Sequence, residues 1–107
     1  MAKKPFSLAN GRSWSTRQEA IAHFTEMLGR YKVDETVPQG TDHDDLLALL
    51  QHYDRDVPQG QETKIGIGVE RFAKGQCRGE GFTRPCFFVH RADGSSDDFS
   101  FIKAVRS

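Results

Sequence analysis

Cys77, Cys86 and His90 stand in a C-x8-C-x3-H spacing. Thiolates and imidazoles are zinc ligands, but a structural zinc site needs four of them and usually a close cysteine pair. If Cys86 and His90 lie on one strand they share a face yet sit about 13 Å apart at ~3.3 Å per residue, too far to hold one ion. No metal is therefore expected, and Cys86 reads as a small buried hydrophobe. Two cysteines are too few for a disulfide scaffold, and Cys77 and Cys86 are expected to stay unbridged in a reducing cytosol. A nucleophile–base pair would need Cys77 or Ser100 beside a histidine. A small hydrolase or nuclease would need Asp44 or Asp45 gathered with His52. Capping explains these aspartates more simply, since Asp42, Asp44 and Asp45 fall in the first turn of a helix whose dipole favours negative charge there. His52 fits a contact with the last carbonyls of that helix.

Basic and aromatic residues carry a different chemistry. Lys64, Arg71, Lys74, Arg78 and Arg84 are interleaved with Phe72 and Phe82, which suits phosphate contacts. If Phe88, Phe99 and Phe101 share an open face with His90 and Lys103, their rings can stack on unpaired bases. The competing reading makes the rings core and the cations solvated. Gly66-x-Gly68 is not a dinucleotide fingerprint, because the third glycine and the following helix are missing. An aromatic ring lying across the bare strand surface, from Phe88 or Trp14, is the simpler use for these glycines.

The elements that must position these residues follow from pattern. Asp93-Gly94-Ser95-Ser96 is a hairpin turn joining a strand near 85–91 to one expected over 97–103. Pairing Ala92 with Asp97 sets Arg91 opposite Asp98 as a cross-strand ion pair. Ile65, Ile67 and Val69 alternate, giving a strand near 64–72, and 73–83, with three glycines, reads as a long loop. Asn10-Gly11 marks a hairpin over 6–14. Ser15 or Thr16 opens a helix over about 16–31, with a capping-box partner at Gln18 or Glu19. Thr41 or Asp42 caps a second over 42–54, striped by Leu46, Leu47, Leu50 and Tyr53. Runs of strands and helices that do not alternate define an α+β fold, an antiparallel sheet with two helices on one face.

The pieces Lys64-Ile65-Gly66-Ile67-Gly68, Arg84 with Cys86-Phe87, Arg91-Ala92-Asp93-Gly94, Asp98-Phe99-Ser100 and Lys103 together resemble the DCL (defective chloroplasts and leaves) family. The match departs at Pro85, which separates Arg84 from Cys86, and at Ala104, where the family often has Cys. The resemblance implies a context of ribosomal RNA maturation, or of the C-terminal domain of plant-specific RNA polymerase large subunits. It implies no catalytic residues. It makes Gly66, Gly68, Arg91, Asp93, Gly94 and Asp98 motif positions.

At 107 residues the chain is expected to form one domain, burying roughly two-thirds of its unfolded surface. Apolar residues make up 36% and there are eight Phe, which supports a packed core and not disorder. No apolar run approaches membrane-spanning length. The formal charge is zero but segregated: +4 over 1–32, −7 over 33–63, +4 over 64–91 and −1 beyond. Such blocks either steer a partner or neutralise one another in the fold. The expectation is a cytoplasmic, monomeric, non-catalytic binding module without cofactor, acting on RNA or on an RNA-processing protein. The alternatives are a protein-interaction module without nucleic-acid binding, or the hydrolase above.

Overall fold

A computed structural model describes residues 5–106 apart from Asp56, Gln59, Glu62 and Glu80; the side chains of Arg78, Phe82, Thr83 and Phe99 also lie outside the description. Among the described residues the fold is α+β, with three helices and two antiparallel sheets.

The chain opens with a short hairpin, β1 (Phe6–Ser7) and β2 (Ser13–Trp14), turned through Asn10-Gly11 as the dipeptide predicts. Helix α1 (Arg17–Gly29) starts at Thr16, whose hydroxyl accepts the Glu19 N–H at 3.1 Å; the Glu19 carboxylate reaches back to the Ser15 N–H at 3.0 Å. This reciprocal cap satisfies two amides that the helix leaves unpaired. Ala20, Ile21, Phe24, Met27 and Leu28 recur at three and four and are buried. The helix stops two residues before the expected Tyr31. That side chain instead donates its hydroxyl to Asp42 at 2.5 Å.

Helix α2 (Thr41–Asp54) is capped by Gly40 at φ 146°, not by Thr41 or Asp42, and no side chain bonds its first amides. Asp42 is occupied by Tyr31 and, at 3.2 Å, by Arg30. Leu46, Ala48, Leu49 and Leu50 are buried together with two polar residues, His43 and Asp45.

The main sheet runs β3 (Val69–Gly79), β4 (Phe82–Arg91), β5 (Ser96–Phe99) in that order, all antiparallel. The expected loop over 73–83 is thus mostly strand. A two-residue connection with Gly81 at φ 75° joins β3 to β4. Residues 64–68, expected as strand, form a turn in which Gly66 (φ 55°) and Gly68 (φ 136°) take conformations that side chains disfavour. Ile67 is accordingly exposed rather than aligned with Ile65 and Val69.

After β5 the chain becomes helix α3 (Phe101–Arg106), where a strand to residue 103 was expected. The Ser100 hydroxyl accepts the Lys103 N–H at 3.2 Å, and Phe101, Ala104 and Val105 are buried at helical spacing. Val89 pairs with Asp97 and Phe88 with Asp98, three residues off the register that sets Ala92 against Asp97. An odd slip moves every side chain to the other face. Arg91 and Asp98 therefore lie on opposite faces, and the Arg91 guanidinium meets Asp97 at 3.5 Å instead. The first and tightest part of the turn explains the slip: Asp93 accepts from both the amide and the hydroxyl of Ser95, so Arg91 bonds Ser95 across a shorter loop.

The three helices cover one face of the main sheet. Phe72, Phe87 and Val89 point into a core with Phe24, Met27, Leu46, Leu49, Phe101 and Val105. Each such fully buried side chain contributes about 1.5–3 kcal/mol. The hairpin β1–β2 packs on the helices, with Trp14 against Phe24 and Phe6 against His52, so among the described residues no helix or hairpin covers the other sheet face. Residues 34–37 run along the edge of β3, with Asp34 and Val37 amides bonded to the Lys74 and Phe72 carbonyls. No described helix is long and apolar enough to cross a membrane.

Candidate functional site

The uncovered sheet face collects residues that alternate with the core set. From β3 come Arg71, Ala73, Gly75 and Cys77; from β4, Arg84, Cys86, Phe88 and His90; from β5, Ser96 and Asp98. Phe88 sits at the centre. A Cβ placed on Gly75 would stand 2.5 Å from two Phe88 ring carbons, so the ring packs directly against bare backbone. A glycine in mid-strand weakens a sheet unless something approaches closely; here that something is an aromatic ring. The ring across a glycine was expected over Gly66 and Gly68. Gly66 is instead crowded by Arg91, whose side chain would lie 3.0 Å from an added Cβ and whose Nε donates to the Lys64 carbonyl.

Beside Phe88 a pocket of about 490 Å³ is lined by Arg71, Lys74, Gln76, His90, Ser96 and, from the edge segment, Asp34. Arg71 is held by the Thr36 hydroxyl at 3.3 Å, and Lys74 Nζ donates to the Tyr31 carbonyl at 2.8 Å. Burial, then the Arg71 charge, pushes the His90 imidazole below its ordinary pKa, with Glu70 opposing. Near neutral pH the ring is therefore uncharged, and it flanks Phe88 as a second flat surface.

Of the ten residues proposed from sequence for a binding face, Arg71, Phe88 and His90 are brought together at this pocket, while Arg84, further along the same face of β4, lines a separate cleft of about 1100 Å³ with Lys64 and Lys103. Phe101 is not: it is buried in the core against Phe24 and Phe87. Lys103 lies on α3, and Lys64 on the far side of the sheet pairs with Asp97 at 2.9 Å. Lys74 belongs to the other register but reaches the pocket rim. Phe99 pairs its backbone with Phe87, in the register of the covered face; its side chain and that of Arg78 lie outside the described residues.

Two further groupings escaped sequence reasoning. Cys77 and Cys86 form a disulfide, with Cα atoms 5.9 Å apart, against the expectation of free thiols. Reading 73–83 as a loop hid the fact that β3 and β4 bring them side by side; the signal was Gly81 as a two-residue hairpin turn. The second grouping is Asp45, 1% exposed, which receives Asn10 at 2.9 Å, Arg12 at 3.3 Å and His23 at 3.1 Å. Asp45 thus ties the hairpin turn to both long helices. It is not assembled with His52, which faces Phe6.

Fold and face together define an α+β domain with a helix-covered core and one open sheet face. The chain belongs to the family described as a protein of unknown function (DUF3223), whose profile matches residues 25–105. This finding overturns the resemblance to the DCL family, to which nothing in the comparisons points. The motif pieces that carried it do local work in this fold: Gly66 clears space for Arg91, and Asp93 and Gly94 shape a turn. The chain is also similar to an uncharacterised protein from Rhodospirillum rubrum solved in solution by NMR, with 31% identity, a TM-score of 0.75, and coverage of 97% of this chain and 91% of that one. No curated protein matches.

Proposed function

We propose that the open sheet face binds single-stranded RNA, with a base stacked on Phe88 and phosphates met by Arg71 and Arg84. The observation that carries this reading is the partly exposed Phe88 ring seated on Gly75, with His90 and Arg71 lining the pocket beside it. Stacking on an aromatic platform contributes about 1–3 kcal/mol per base and tolerates any sequence. The Arg71 and Arg84 charges add a salt-dependent attraction. With zero net charge over the chain, affinity comes from this face and not from a general field.

An amide-shift titration with a short unstructured RNA, at low and at physiological salt, tests the proposal. Shifts are expected on residues 71–77 and 84–90, weakening as salt rises. Phe88→Ala should weaken binding at least about tenfold, and Gly75→Ala, which unseats the ring, should follow it. Shifts confined to the Lys64–Lys103 side, or affinity unchanged in Phe88→Ala, would exclude this face as the RNA site. A protein ligand shifting the same residues where RNA does not would favour a protein-interaction module.

A further inference from the structure

Next to the Phe88 pocket the open face carries a cluster that RNA binding does not use. Cys77 on β3 and Cys86 on β4 are joined by the disulfide, and Asp98 Oδ2 on β5 lies 3.1 Å from Cys77 Sγ. The two sulfurs and the carboxylate oxygen all lie within 4.8 Å of one another. Each comes from a different strand, and the ladder fixes their approach: Gly75 opposes Cys86 and Phe88 opposes Asp98. The third group is supplied across the sheet, which is why spacing along one strand could not show it.

We propose that the reduced chain binds one thiophilic divalent cation of the zinc class through the Cys77 and Cys86 thiolates and the Asp98 carboxylate, and that the disulfide is the form that does not. With Zn–S near 2.3 Å and Zn–O near 2.0 Å, a tetrahedral ion holds its sulfurs about 3.8 Å apart and sulfur from oxygen about 3.5 Å. Both separations fall inside the span the three groups already occupy. Opening the bridge needs only side-chain rotation of the half-exposed Cys77 to part the sulfurs. Thiols are ordinarily protonated near neutral pH and bind metal as thiolates, so the cation must displace the two thiol protons.

The chemistry balances in two steps. A dithiol reductant breaks the Cys77–Cys86 bond, transfers two electrons and two protons to the sulfurs, and leaves as its own cyclic disulfide. The cation then displaces both thiol protons to solvent. Three protein ligands leave the fourth position to water, the composition of an open site, and Asp98 is exposed. The inference stands independently of RNA binding.

The test uses the full chain, oxidised and dithiol-reduced, desalted without air and titrated with cobalt(II), then with zinc in competition. The reduced chain should bind one cobalt with sulfur-to-metal charge-transfer absorption and release two protons; the oxidised chain should show neither. Asp98→Asn should weaken binding at least about tenfold, while Asp44→Asn, exposed on α2, should not. Cys77→Ser, at the more accessible cysteine, should abolish the charge-transfer band while circular dichroism stays that of the parent. A reduced, folded chain without that band, or an unchanged affinity in Asp98→Asn, would overturn the proposal.

Discussion

His90 and Tyr31 set opposite pH limits through the same physics. Burial first, then Arg71, makes His90 less basic than its ordinary 6.5. The unfolded ring then binds a proton more readily than the folded one. The stabilisation is whole above pH 6.5 and is lost as pH falls through the lower folded value. Burial and then the hydrogen bond to Asp42 push the Tyr31 phenol up to about 12, so its contribution is whole below pH 10 and lost above 12. The histidine carries the sharper test because Arg71 can be removed. An NMR titration of the His90 ring should give a midpoint below 6.5, and Arg71→Ala should raise it without taking it past 6.5, since burial remains. An unchanged midpoint in Arg71→Ala would mean the two groups do not sense each other across the β3–β4 pair.

At the scale of elements the informative segment is 99–106. Phe99, Phe101 and Lys103 alternate like a strand, while Phe101, Ala104 and Val105 space like a helix, and periodicity over so few residues supports both. Packing decides: α3 lies against both long helices, and Phe101 fills the core between Phe24 and Phe87. Ser100→Ala should then cost about 1 kcal/mol through lost capping, and Phe101→Ala about 3–5 kcal/mol. Lys103→Ala should stay within ~0.5 kcal/mol. Urea unfolding midpoints measure all three, and a neutral Ser100→Ala would restore the strand. The same competition explains what could be read in advance. The caps and stripes of α1 and α2 span several turns, so their helices were legible. Gly75 and Gly79 argue against strand locally, so β3–β4 beyond residue 72 was hidden until Phe88 was seen covering Gly75. Phe88 and His90 were legible as sharing a face because alternation survives in β4, while Arg71, on β3, joins them only through the ladder pairing. Phe101 was misplaced because residues 101–106 form a helix and not the end of a strand, a choice that tertiary packing makes.

Over the whole molecule the charge blocks largely neutralise one another. Arg12 and Arg30 from the first block meet Asp45 and Asp42 of the acidic second, and Lys64 and Arg91 of the third meet Asp97 near the end. Most of these pairs are partly exposed and worth little individually. Asp45 differs, because its carboxylate is 1% exposed and three groups from the hairpin and α1 converge on it. The hairpin contributes Phe6 and Leu8 to the core and has no strand neighbour in the main sheet, so Asp45 is the polar half of its attachment. Asp45→Ala leaves Arg12 and His23 able to turn to water, which limits the cost to about 2–3 kcal/mol. The loss should appear locally: the Leu8 and Gly11 amides, bonded to Arg12 and Leu8 carbonyls within the hairpin, should exchange much faster while those of β4 keep their protection. Asp44→Ala, one residue earlier and exposed, should cost less than about 1 kcal/mol, mostly through the helix dipole. Equal exchange at Leu8 in the two variants would show that Phe6, Leu8 and Trp14 hold the hairpin by apolar contact alone.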